Sequence, residues 1–109
     1  MLEGKAIVRE TDMSVDQKNH AMELAYQALD LHEVSDCQSI AHYIKKSFDE
    51  SYGPTWHCVV GKDFGSCITH VSGSFIFFCV DMMVFLLFKD GRDLSKTKEE
   101  AVGVLQKPT

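Results

Sequence analysis

The chain has 109 residues, 45% of them hydrophobic and 25% charged, which is the size and composition of one folded domain and not of a disordered segment. Eleven Lys and Arg against sixteen Asp and Glu leave a net charge of −5, the wrong sign for a protein that holds nucleic acid or an anionic membrane surface through phosphates. The longest nearly apolar stretch, residues 75–88, is divided by Asp81 and falls short of the ~20 residues that a membrane-spanning helix needs.

The amino terminus, Met-Leu-Glu-Gly-Lys, lacks the apolar run of a secretory signal, so the chain reads as intracellular. Residues 5–10, Lys-Ala-Ile-Val-Arg-Glu, form a short β-prone run and are assigned to a first strand. Ser14 followed by Gln17 is a capping-box pair that starts a helix. Met22, Ala25, Tyr26 and Leu29 supply its apolar stripe to about Leu31. A second helix is predicted from caps at Asp36 or Ser39, with Ile40, Tyr43, Ile44, Ser47 and Phe48 along one face, ending before Gly53-Pro54.

Beyond Pro54 the period changes to that of strands: residues 55–60, 64–70, 74–80 and 83–89 read as four consecutive strands of an antiparallel meander. Gly61-Lys-Asp-Phe-Gly65 is then a hairpin loop. From Ser74 to Phe88, thirteen of fifteen residues are apolar, so both faces of these strands require cover. Two helices cover one face only, and the other is expected to be buried by self-association. The fold class is therefore α+β, two helices on an antiparallel sheet, with a domain over residues 1–91. Residues 92–109 read as a flexible tail in which Ala101, Val102, Val104 and Leu105 are a weak amphipathic helical turn.

No constellation points to catalysis. His57 and Cys58 are adjacent, and neighbours on a strand face opposite ways. His70 has no identifiable third group or oxyanion donor to make a hydrolase with a cysteine. His20, His32 and His42 lack the spacing of a shared metal site and read as solvated helix histidines. Met82 and Met83 read as core filler. The four cysteines, Cys37, Cys58, Cys67 and Cys79, lack a Cys-x-x-Cys pair and read as free thiols. No metal and no cofactor is implied. The unpaired edge of a four-strand sheet instead suggests an interaction module that templates an added strand.

Thr55-Trp-His-Cys, Gly61, Phe64-Gly-Ser66, Thr69-His70 and Leu86-Leu-Phe-Lys89 resemble the eight-kilodalton cytoplasmic dynein light chain family, with further agreement at Lys5-Ala6, Asp12-Met-Ser14 and Gln27-Ala-Leu29. The likeness covers approximately residues 3–91. It implies a strand-exchanged, two-fold homodimer with no enzymatic activity, in which the strand carrying Phe64 to His70 crosses to the partner's sheet. Each groove of such a dimer takes an extended, disordered segment with a Thr-Gln-Thr-like core. Carried over, the peptide contacts are Arg9, Phe64, Gly65, Ser66, Cys67, Ile68, Thr69 and His70, over a floor of Phe75, Phe77, Cys79, Val84 and Leu86. Asp36, Cys37 and Gln38 meet the peptide glutamine at the start of the second helix. His57, Val59, Ser66, Cys67, Thr69 and Asp90 fall at the dimer interface.

This sequence departs from the family pattern at Gln38, where Lys is usual, and at Cys67 and Cys79, where Tyr is usual. The resemblance implies a cytoplasmic, cytoskeleton-associated hub with dynein intermediate chain among its partners. The two groove cysteines raise a second reading, a thiol-dependent redox sensor.

Overall fold

The computed structural model describes residues 6–90 and, as backbone, residues 98–104. Strand β1 (Ala6–Thr11) leads to helix α1 (Val15–Leu31) and helix α2 (Cys37–Tyr52), followed by β2 (Trp56–Gly61), β3 (Gly65–Val71), β4 (Phe75–Val80), β5 (Met83–Lys89) and β6 (Lys98–Val104). Ser14 caps α1, its hydroxyl accepting from the Gln17 N–H at 3.3 Å. Asp36, not Ser39, caps α2 by accepting from the Ser39 N–H at 3.2 Å. Gly53 ends α2 with φ +79°, a conformation for which glycine alone carries no steric penalty.

The main sheet has four antiparallel strands in the order β1-β4-β5-β2. Its strands alternate between two cores. Ile76, Phe78 and Val80 of β4, Met83, Phe85 and Leu87 of β5, and Trp56 of β2 bury against Ala21, Leu24, Ala25, Ala28, Ile40, Ile44 and Phe48 of the helices. The opposite residues, Phe75, Phe77, Cys79, Val84 and Leu86, form a second buried cluster with Phe64, Ile68 and Phe88 against it. The absence of polar alternation in residues 74–88 thus reflects burial on both faces.

Three expectations are corrected. The meander breaks at β3, which lies outside the main sheet, so β2 pairs with β5 and residues 61–65 are a crossover, not a hairpin loop. Its residues alternate between exposed and half-buried from Gly65 to Thr69, a pattern suited to lying across an apolar face and unsuited to the centre of a sheet covered on both sides. That placement lets Phe64 and Ile68 pack on the face that the helices leave open, whose residues are 7% exposed or less within one chain, so its burial does not wait on the self-association expected from sequence.

The residues expected to make a helical turn, Ala101, Val102 and Val104, lie instead in β6, antiparallel to β3. Tertiary pairing outweighs the marginal local preference of so short a helix. Leu105 and most of the remaining tail lie outside the described residues.

Smaller corrections concern side chains. The buried face of α1 centres on Ala21, Leu24, Ala25, Ala28 and Leu29, because alanines allow close approach of α2 and the sheet, leaving Met22 and Tyr26 half-buried at its margin. His20 is packed: its Nδ1 lies 2.8 Å from the Tyr52 hydroxyl and its ring stacks on Phe48 at 5.3 Å. Met82 is 77% exposed, because Val80 pairs with Met83 and the two residues between them form the turn; only Met83 is core.

Candidate functional site

The residues that carry the predicted groove fall into three places. The floor residues Phe75, Phe77 and Cys79 of β4 and Val84 and Leu86 of β5 form one cluster, each 7% exposed or less. The register sets this: Phe77 stands opposite Leu86 and Cys79 opposite Val84, so their side chains project from one face. Above the floor, Ile68 and Phe64 pack against the cluster, the Phe64 ring centroid 6.0 Å from that of Phe77. Gly65, Cys67 and Thr69 are exposed on the outer side of β3, and Ser66 is half-buried.

His70 is placed differently from an open contact residue. It is 3% exposed, its Nδ1 lies 2.8 Å from the Val71 carbonyl oxygen, and its ring stacks on Phe75 at 4.9 Å. Asp12 stands 3.9 Å from the same nitrogen. The Asp12 carboxylate also accepts from the Gly73 N–H at 2.9 Å, which anchors the turn between β3 and β4 to the end of β1.

Arg9 sits at a β-bulge, since the register with β4 skips from Val8 to Glu10. The exposed residue of β1 opposite Cys79 is Ile7, 55% exposed. Sequence reading passed over Ile7, although the alternation of half-buried Ala6 and Val8 around it carries the signal.

The helix-start group is elsewhere. The cluster that receives Ile40, Ile44 and Phe48 of α2 is on the opposite side of the sheet from Ile68. The chain therefore does not bring Asp36, Cys37 and Gln38 together with β3. Hydrogen bonds from the Ser39 side chain and backbone hold the Asp36 carboxyl below the usual carboxylate range. Gln38 lines a shallow depression of about 680 Å³ along the outer side of α2, with Ser39, His42, Lys46 and Glu50.

The interface group is likewise divided. His57 and Val59 lie on β2, which pairs only with β5 among the described residues and so presents an open edge. Val59 is 42% exposed. The His57 Nε2 lies 3.8 Å from an Asp90 carboxylate oxygen, and Asp90 is held by its own N–H, which donates to the Thr55 carbonyl at 2.9 Å. Cys67 and Thr69 lie on β3, which does not pair with β2 in this chain.

All four cysteines are free thiols. Cys67 is exposed and Cys79 is buried in the floor. The Cys58 thiol packs into the helix-side core, and desolvation pushes it up to about 12. Among the described residues no three His, Cys, Asp or Glu side chains gather where they could hold a metal ion, and no helix is long and apolar enough to cross a membrane.

Comparison with known proteins agrees with this architecture. The family described as dynein light chain type 1 matches residues 5–90. A dynein light chain of Schistosoma mansoni is 46% identical over 91 residues, which is 84% of this chain and 100% of that protein. The dynein light chain-like domain of the Fasciola hepatica calcium-binding protein FhCaBP2 superposes with a TM-score of 0.69 at 24% identity, over 82% of this chain and 94% of that one. A mercury derivative of the same domain gives 0.68 at 26% identity, over 84% and 98%. With two helices and a four-strand antiparallel sheet in the arrangement of those domains and a family match over most of its length, the chain belongs to the dynein light chain type 1 family.

Proposed function

We propose that the protein is a non-enzymatic, homodimeric adaptor that binds short segments of disordered partners by strand addition to β3, and so brings two partner chains together. The observation that carries this reading is the position of β3, outside the main sheet and lying over an apolar floor. A strand that lies outside the main sheet, beside a buried apolar cluster, offers backbone hydrogen bonds along an edge for affinity and side-chain contacts for specificity.

Dimerisation completes the site. The open edge of β2, with Val59 exposed on it, is the natural acceptor for β3 of a second copy. His57, Val59, Ser66, Cys67, Thr69 and Asp90 then meet at the interface. The same exchange is the way that Asp36, Cys37 and Gln38 of one protomer approach β3 of the other, since a single chain keeps them apart. Phe64, Gly65, Ser66, Cys67, Ile68, Thr69 and His70 take the incoming backbone over Phe75, Phe77, Cys79, Val84 and Leu86, and Arg9 reaches it from the bulge. Family membership supports a dynein intermediate chain segment as one partner and a cytoplasmic, cytoskeleton-associated location.

Thiol-dependent sensing receives no support: all four cysteines are free thiols and Cys79 is buried. Isothermal titration with a peptide centred on Thr-Gln-Thr, together with light scattering, tests the proposal. One peptide bound per chain of a two-chain particle is the expected result, and a dimer that takes up neither this peptide nor an intermediate chain segment overturns it.

A further inference from the structure

Strand β3 already has a partner, and that partner is the chain's own tail. Lys98–Val104 runs antiparallel to Gly65–Val71 in unbroken register, from Gly65 opposite Val104 through Cys67 opposite Val102 to Val71 opposite Lys98. These seven positions include all of the β3 segment that the proposed function assigns to target binding except Phe64. Strand β6 also lies beyond the family match, which ends at residue 90. The Schistosoma mansoni relative is matched over its whole length by 91 residues of alignment, against the 109 residues here.

We propose that β6 is an intramolecular occupant of the strand-addition edge of β3, so that an extended target segment binds only by displacing residues 98–104. The inference rests on the strand-addition reading above. A strand has two hydrogen-bonding edges. If one edge of β3 is used to join the β2 edge of a second copy, the other is left for a target, and β6 satisfies its N–H and C=O groups until a target arrives. Tethering makes this competition effective, because a segment joined by a short linker acts at an effective concentration in the millimolar range. The apparent dissociation constant of a target rises by the inverse of the fraction of molecules with the edge open, so an edge covered about nine-tenths of the time costs a target roughly tenfold in affinity. The tail is thereby a threshold: targets with several favourable contacts displace it and weak ones do not.

Three full-length proteins test this with a fluorescent peptide centred on Thr-Gln-Thr. In Ala101→Pro/Val102→Pro, adjacent prolines ensure that one of the lost N–H groups is on the side facing β3. In Val102→Cys, the new thiol stands opposite Cys67, and residues directly opposite on antiparallel strands are within the Cα separation that a disulfide spans. The proline variant is expected to bind the peptide at least about tenfold more tightly than the unaltered chain. Oxidised Val102→Cys is expected to lose binding and to regain it on reduction, with an intrachain bridge to Cys67 by peptide mapping that disappears when Cys67→Ser is added.

Equal affinity in the unaltered chain, the proline variant and the oxidised protein overturns the inference and leaves the strand-addition reading standing. No binding by any of the three, prolines included, overturns the strand-addition reading and this inference with it. A bridge between chains in place of one within a chain overturns intramolecular occupation. A monomer that becomes a dimer only in the proline variant also overturns the inference, because the tail then holds the edge used for dimerisation.

Discussion

The Asp49 carboxylate accepts a hydrogen bond from the backbone N–H of Trp56 at 2.7 Å, which fastens the last turn of α2 to the first residue of β2 across the Gly53-Pro54 bend. The same carboxylate pairs with Lys45 one turn earlier in the helix. Trp56 is buried against Phe48, ring centroids 4.8 Å apart, so the bond fixes where the largest core side chain enters.

Removing that acceptor leaves a backbone N–H beside a buried residue without its partner. Asp49→Ala is expected to destabilise the fold by about 1–3 kcal/mol, and Asp49→Asn, which retains an acceptor oxygen, by less. Urea denaturation with matched slopes checks both. Desolvation acts to raise the Asp49 carboxyl, but hydrogen bonds from Lys45 and Trp56 and the charges of Lys45 and His57 hold it below the usual range. A lowered folded pKa means that this contribution is present above the unfolded carboxylate value of about 3.9 and disappears as the pH falls through the folded value. Asp49→Ala therefore flattens the acid limb of the stability profile.

Burial of the Cys58 thiol acts at the other end of the pH scale. Its folded value is raised to about 12, so its contribution is intact below the unfolded thiol value of about 8.5 and is lost as the pH rises from there. Cys58→Ala is expected to remove this alkaline dependence at some cost in packing. Thiol labelling of the native protein at pH 8 is expected to modify Cys67 first, with Cys58 and Cys79 reacting only on unfolding.

Ile68 connects β3 to the floor of Phe75, Phe77 and Leu86. Because it is half-buried, Ile68→Ala is expected to cost about 1–2 kcal/mol, below the range for a fully buried isoleucine, while weakening peptide binding by tenfold or more. Ile68→Val is expected to preserve both. Titration and denaturation on the same samples separate loss of the site from loss of the fold.

His57 stands half-exposed on the open edge of β2, with Asp90 at 3.8 Å. In the proposed dimer this position becomes desolvated, where added charge is unfavourable. Sedimentation is expected to show that His57→Glu, which sets a second carboxylate beside Asp90 in that contact, weakens the dimer. His57→Gln, which is neutral, is expected to leave the dimer intact. Asp90→Ser is expected to strengthen the dimer by removing a fixed negative charge from the contact.

Much of this molecule follows from local pattern. The Ser14 and Asp36 caps, the alternation that sends Phe78 and Phe77 to opposite cores, and the break at Gly53 are matters of neighbours within a few residues, and they are legible in the sequence because capping, periodicity and turn chemistry are short-range. The apolar cluster beneath β3 is legible for the same reason: once residues 75–80 and 83–89 are strands joined by a two-residue turn, Phe77 and Leu86 must share a face.

Only the tertiary structure decided where β3 goes and what covers it. A strand of half-polar alternation carries no mark of which edge it joins, so the meander expected from strand order gave way to β2 pairing with β5 and β3 lying over the second core. The partnership between β3 and Lys98–Val104 spans about thirty residues of sequence. Its stability comes from backbone hydrogen bonds that any extended segment makes, and those leave no signature in side-chain order.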